Sequence, residues 1–334
     1  MTTMECQEEI ITLSDKSPKT GKERPWAKHK RASEYMAMAY ECIGDERKAQ
    51  RIRDCATWTE WEVSRMNEDV KHLKTANFCR VRLCPMCMWR RSIKTFGQMY
   101  KIISYIGDKY AYIKLNLTQK NISGNELSDE LNRLSQAWHR FIGYAEVKRA
   151  VKGFYRATEV VHNVDPKSSS FDTYHPHFHC LLAVNKSYFT SRDYISHKRW
   201  QELWAKAMRL DYLPNVWTKK MTNKFTTNDD EQDLKSAIAE LGKYTCKPEE
   251  IILPQDWQMT EDAVKILDKA LTNRRFIAMG GVIKEAHKAL NLDDMEDGDL
   301  VHTTDDNLSD EEKEIVYYEW HSGYSQYVKT DKRR

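Results

Sequence analysis

Several large classes of protein are excluded by what this chain does not contain. No segment approaches the roughly 18 to 20 consecutive apolar residues of a membrane helix, and the opening Met-Thr-Thr-Met-Glu-Cys has no apolar signal core. A cytoplasmic protein without a membrane partner is expected. No Gly-rich phosphate loop and no internal repeat is present, so neither ATP chemistry nor a solenoid is indicated. Acidic residues are missing altogether between Lys71 and Lys101, a stretch that holds eight Lys or Arg.

What is present has the composition of a globular protein. With 334 residues, 40% of them apolar, the chain can build one large or two modest cores. The formal charge of +3 is the sum of a basic body and an acidic segment, since eleven Asp or Glu face Lys313 alone between Asn291 and Ile315. Eight cysteines in a reducing compartment point to metal ligands or small buried hydrophobes rather than disulfides. Cys6, Cys42, Cys180 and Cys246 are expected to be of the second kind.

The pattern divides the chain into five stretches. Residues 1–31 are expected to be a flexible basic arm, since they are polar and show little periodicity. Residues 32–108 are a helical and zinc-knuckle region, with helical spacing over 32–66, a turn near Gly44-Asp45, and a further helix over 89–106. Residues 109–250 carry a strand over 110–118, an amphipathic helix over 127–149, strands over 153–161 and around His177, and helices over 191–210 and 232–246. A helical accessory or DNA-binding region follows over 251–290, and an acidic tail segment over 291–334.

Three motifs carry chemistry. His175-Pro-His177-Phe-His179 runs into the apolar Cys180-Leu-Leu-Ala-Val184, the composition of a buried strand. Alternate strand residues leave one face about 7 Å apart, so His177 and His179 can share an ion. The short polar loop 165–170 implies an antiparallel pair of strands, which puts Glu159 beside the two histidines. Two imidazoles and a carboxylate suit Mn²⁺, Mg²⁺ or a catalytic Zn²⁺. In the second motif, Cys79-x4-Cys84-Pro-Met-Cys87 has structural zinc spacing, with Cys55 the best fourth ligand and His72 the alternative. Arg80, Arg82, Arg90, Arg91 and Lys94 surround it and suit a DNA-facing surface, with a solvated basic helix face as the competing reading. The third is Glu240-Leu-Gly-Lys243-Tyr244, where helical spacing makes Glu240 and Tyr244 neighbours. A phenol, with an intrinsic pKa of about 10, becomes a nucleophile only beside a cation or base, which the metal or Lys243 can provide, and on helical spacing alone an exposed Glu beside a packed Tyr is the favoured reading.

Taken in order over roughly residues 50–290, these three motifs resemble the rolling-circle replication initiator (Rep) proteins of small plasmids from Gram-positive bacteria, in the HUH endonuclease superfamily. The resemblance implies an α+β fold, a central antiparallel sheet flanked by helices, with an N-terminal zinc knuckle and a helical C-terminal region. It implies that His177, His179 and Glu159 hold the catalytic Mn²⁺ or Mg²⁺, that Tyr244 attacks the DNA, that Glu240 activates water at termination, and that His175 supports a ligand. Origin DNA, double- and single-stranded, is then the expected partner, with host helicase and replication machinery, and a homodimer is compatible with it. The competing readings are an HUH transposase or mobilisation relaxase and a non-catalytic zinc DNA-binding repressor.

Overall fold

The computed structural model describes residues 10–17, 21–67, 69–221, 238–239, 242, 245–303 and 313–331. In chain order the described helices are α1 (Trp26–Cys42), α2 (Glu46–Asp54), α3 (Pro85–Ile106), α4 (Leu127–Gly143), α5 (Ala145–Ala150), α6 (His197–Met208), α7 (Trp257–Leu271) and α8 (Gly281–Ala289). The strands are β1 (Trp58–Ser64), β2 (Lys71–Ala76), β3 (Tyr110–Leu117), β4 (Val151–Asn163), β5 (Thr173–Asn185), β6 (Val216–Met221), β7 (Ile277–Gly280), β8 (Lys313–His321) and β9 (Gln326–Thr330). The protein is therefore α+β, with antiparallel sheets flanked by helices. It has two compact units, residues 1–87 with 300–334, and residues 88–299.

The first unit contains a four-stranded sheet in the order β2-β1-β8-β9. Its strand β1 alternates cleanly: Thr59, Trp61 and Val63 are buried, while Glu60 and Glu62 face outward between them. Trp61 meets Trp26 edge to face at 5.4 Å, and Trp26 meets Tyr327 of β9 in the same way at 6.1 Å. The Tyr327 hydroxyl is satisfied in this core by donating to the Ala56 carbonyl at 2.7 Å.

Several expectations are corrected in this unit. Residues 10–17 and 21–31 are not a loose arm: Leu13 N–H donates to Tyr327 O, Lys329 N–H donates to Ile11 O, and Trp26 is buried with its indole N–H on Asp15. Burial of one large aromatic and the satisfaction of Asp15 by Arg24 and Trp26 hold this stretch in place. The helix expected over 32–66 stops after α2, where Ala56 takes a positive φ of 51° and the period-two aromatic pattern of β1 takes over. The segment expected as an acidic tail supplies β8 and β9, because Val316, Tyr318 and Tyr327 bury their side chains in the sheet.

The second unit holds a five-stranded antiparallel sheet in the order β6-β3-β5-β4-β7. Strands β4 and β5 pair along nearly their whole length, so the sheet's two faces can be read from residue parity. On one face Tyr112, Tyr155, Leu181 and Ala183 pack with Met99, Ile102, Ile103 and Ile106 of α3. On the other, Phe178 packs against Trp138 of α4 and Trp204 of α6, with Phe141 and Trp200 beside them. Helix α6 is capped by Ser196, whose hydroxyl accepts from the Arg199 N–H, and so starts later than the residue 191 that spacing suggests. The region expected to be helical over 251–290 is interrupted by β7, an edge strand paired with β4. Gly281 turns the chain from β7 into α8 at φ +54°, where a Cβ would strike the Lys152 carbonyl.

Candidate metal centres

In the second unit, strand register brings together the side chains of Glu159, His177 and His179. Glu159 on β4 lies directly opposite His177 on β5, and Asn116 on β3 lies opposite His179. All three side chains are buried and share one sheet face. Glu159 Oε2 is 2.5 Å from His179 Nε2 and 3.3 Å from His177 Nε2, and the two Nε2 atoms are 3.0 Å apart. Each imidazole is oriented through its other nitrogen: His177 Nδ1 bonds the His175 carbonyl at 3.0 Å and His179 Nδ1 bonds Asn116 Oδ1 at 3.1 Å. Because both partners can accept, Nδ1 of each ring is placed to donate, which aims the two Nε2 atoms at each other and at a carboxylate. Such a convergence repels itself unless a cation, a proton or a metal, sits among the three atoms.

The spacing fits a metal. Ligands about 2.1 Å from an ion at adjacent coordination positions lie about 3 Å apart, and mixed nitrogen and carboxylate sets suit Mn²⁺, Mg²⁺ or Zn²⁺. Burial would push the Glu159 carboxyl up, but the hydrogen bonds and charges of His177 and His179 outweigh it and hold it below the usual carboxylate range. His175 turns away from this group and bonds the Gln119 carbonyl at 2.8 Å, with its ring stacked on His177.

In the first unit, Cys55, Cys79, Cys84 and Cys87 bring their sulfurs within 4.8 Å of one another. Cys55 and Cys87 are 3.5 Å apart, Cys79 and Cys87 3.7 Å, and none forms a disulfide. Tetrahedral zinc with Zn–S of about 2.3 Å spaces its sulfurs by about 3.8 Å. Backbone N–H groups of Cys79 and Arg80 point at the sulfurs of Cys55 and Cys87, at 3.4 and 3.2 Å, as thiolates require. Burial pushes the Cys84 thiol up, and hydrogen bonds from the other three cysteines more than offset this and hold it well below its ordinary value. Arg80 makes the turn of the knuckle at φ +60°. His72, the alternative ligand, stacks on His302 instead.

The five basic residues expected near the knuckle are placed unevenly. Arg80 is exposed, and Arg82 and Arg91 are half-buried, with Arg91 Nε donating to the Glu296 carbonyl. Arg90 and Lys94 are buried, and Lys94 pairs with Asp293 at 2.7 Å. The DNA contact expected of Arg90 and Lys94 is corrected accordingly, because both are desolvated and the charge of Lys94 is met by a carboxylate. Tyr244, Glu240 and Lys243 lie outside the described residues. Their described neighbours Gly242 and Thr245 do not: Gly242 N–H bonds Ile238 O at 3.0 Å, and Thr245 O accepts from Val160 N–H at 2.7 Å.

Two residues were missed by sequence reasoning. Asn116 fixes His179, and its only signal is a polar residue near the end of a mostly apolar strand. Lys247 places Nζ 3.6 Å from Glu159 Oε1 and 2.6 Å from Glu250 Oε1. Burial acts to lower its pKa, and Glu250 with Glu159 more than compensates, raising it and keeping the cation beside the site.

The family described as "Replication protein" matches residues 70–328 of this chain. "Protein rep" of Bacillus amyloliquefaciens is 36% identical across 95% of this chain and 96% of its own length. The protein of the same name from Streptococcus pneumoniae is 34% identical across 88% of each chain, and that from Lactiplantibacillus plantarum is 34% identical across 89% of this chain and 91% of its own. No solved structure gives a significant match. A family match running from β2 into β9, with relatives that align over nearly their full length, means that this chain belongs to the replication-protein family.

Proposed function

We propose that this protein is a plasmid rolling-circle replication initiator of the HUH type, which binds the double-strand origin, nicks one strand through Tyr244 and rejoins it at termination. The observation that carries the reading is the convergence of Glu159, His177 and His179 on one sheet face, with Lys247 beside the carboxylate. A divalent ion held by these three side chains would polarise a phosphate oxygen at the scissile bond. Lys247 lies three residues beyond Tyr244 and offers a fixed positive charge to a phenolate or a non-bridging phosphate oxygen.

In the proposed reaction the Tyr244 hydroxyl gives up its proton and attacks phosphorus. The new bond is a 5′-phosphotyrosyl ester, and the bond that breaks releases a 3′-hydroxyl, which takes up a proton. The energy of the phosphodiester is kept in the ester, so rejoining by a 3′-hydroxyl needs no ATP, in keeping with a chain that has no phosphate loop. Glu240, acting on water, would end the cycle by hydrolysing that ester, leaving a 5′-phosphate and free tyrosine. The cysteine set would hold structural zinc, and Arg80 with Arg82 remain the knuckle residues suited to phosphate contact.

The test is incubation of the full chain with a labelled, origin-containing single strand and Mn²⁺ or Mg²⁺, followed by denaturing electrophoresis and peptide mapping. A covalent adduct on Tyr244, absent from Tyr244→Phe, is expected. An adduct that survives in Tyr244→Phe reassigns the nucleophile, and origin binding without any cleavage favours the repressor reading.

A further inference from the structure

The face of the second unit's sheet opposite Glu159 and the histidines holds a cavity of about 520 Å³ with an unusual lining. Phe154 is the half-exposed aromatic wall, Trp138, Phe178 and Phe276 are buried behind it, and Arg156 of β4 stands among them. Arg156 is 6% exposed, and among the described residues its Nε has no hydrogen-bond partner and no carboxylate forms an ion pair with it. Its guanidinium lies 4.4 Å from the Phe178 ring centre and 5.7 Å from that of Trp138. The other cations at the cavity are committed: Arg274 to the carbonyls of Ala270 and Ser128, Arg275 to Asp294 and Glu296. The nearby Glu296 carboxylate accepts from the backbone N–H groups of Phe276 and Ile277. Arg156 thus presents a donor fork without an acceptor in a cavity large enough for a small molecule.

We infer that this cavity binds a single nucleotide, with the base against Phe154 and Arg156 donating to a phosphate or to the acceptor edge of a purine. Arg pairs two donors with guanine O6 and N7 or with phosphate oxygens, and flat aromatic faces stack on any base, so this lining matches both halves of that ligand. An apolar ligand would leave the guanidinium fork without an acceptor. The nucleotide can come from two sources, a free nucleotide in solution or one extruded from a bound DNA strand. The inference stands apart from strand transfer at Tyr244, because the cavity and the Glu159 group occupy opposite faces of the sheet.

The experiment titrates the full chain with dGMP by calorimetry, and with labelled oligo-dT carrying either one internal guanine or none. Arg156→Met and Ser135→Glu are compared with wild type, with circular dichroism as the check on folding. Ser135 is exposed on α4 at the cavity, so its replacement tests the site by crowding it with a carboxylate even if Arg156→Met fails to fold. Both variants should weaken dGMP, or remove the preference for the guanine-bearing strand, by about tenfold. Loss confined to dGMP assigns the free nucleotide, and loss confined to the strand assigns the extruded one. Glu159→Gln should abolish cleavage and leave this binding unchanged. Failure of wild type to bind dGMP and to prefer the guanine-bearing strand, or equal binding by Ser135→Glu, overturns the inference.

Discussion

Thr245 accepts a 2.7 Å hydrogen bond through its carbonyl oxygen from the backbone N–H of Val160, the residue that follows Glu159 on β4. Two residues later, Lys247 puts its ammonium 3.6 Å from the Glu159 carboxylate. The segment after Tyr244 is therefore tied to the carboxylate-bearing strand by a backbone bond and a charge pair, with Glu250 as a second acid on the same lysine. The proposed chemistry uses this attachment.

The first prediction separates two lysines. Lys247→Met should lower the rate of adduct formation by about 10²- to 10³-fold, the cost typical of losing one preorganised charge at a developing anion. Lys243→Met should cost much less if Lys247 is the cation that matters. Single-turnover cleavage of an origin strand measures both. A larger loss in Lys243→Met than in Lys247→Met would return the role to Lys243.

A second prediction concerns Asn116, whose Oδ1 bonds His179 Nδ1 at 3.1 Å. Asn116→Ala leaves the three ligands in place but releases the ring that it orients. Mn²⁺ affinity should fall by about 10- to 100-fold, the usual penalty for losing such a partner. Asn116→Asp keeps an acceptor at the same position and should restore most of it. Calorimetric titration with Mn²⁺ reads the effect directly, and equal affinities in wild type and Asn116→Ala would remove Asn116 from the site.

How much of this was legible in the sequence depends on the distance over which each signal acts. The pairing of His177 with His179 on one face is visible because strand parity is local, and the knuckle cysteines announce themselves by spacing within nine residues. Glu159 could be placed because a short loop forces its strand back antiparallel to the histidine strand. Asn116 and Lys247 could not be placed, since they reach the site through register and ion pairing with residues far away in sequence. The pairing of β8 with β1 was equally hidden, because Tyr318 meets Thr59 across most of the chain and an acidic composition masks a short buried pattern. The burial of Lys94 was hidden for the same reason: its partner, Asp293, is 199 residues away.

The third prediction follows from that distant pairing. Tyr327 is fully buried, contacts Trp26 and Trp320 edge to face and donates to the Ala56 carbonyl. Tyr327→Ala should destabilise the first unit by about 3–5 kcal/mol through a large cavity. Tyr327→Phe keeps the ring but orphans a buried carbonyl, at a cost of about 1–3 kcal/mol. Denaturant unfolding followed by tryptophan fluorescence orders the three proteins, and an unchanged midpoint for Tyr327→Ala would show that β9 contributes nothing to this core.

The last prediction concerns the cysteine set. Cys84 is fully buried, its sulfur lies within 4.8 Å of the other three, and it is 3.6 Å from the Ser33 hydroxyl. Structural zinc in such a set contributes on the order of 10 kcal/mol of binding energy that is realised only in the folded state. Elemental analysis should therefore find stoichiometric zinc in the wild-type protein and little in Cys84→Ala, and the variant should unfold at a lower temperature. Strong chelators should lower the wild-type melting temperature toward that of the variant. Cys180→Ala provides the contrast: that thiol is also fully buried, but it lies in the other unit's sheet, so the substitution should cost only packing energy and leave the zinc content intact. Wild-type protein that contains no zinc after purification, or Cys84→Ala that retains it, would show that the four thiols do not form a metal site.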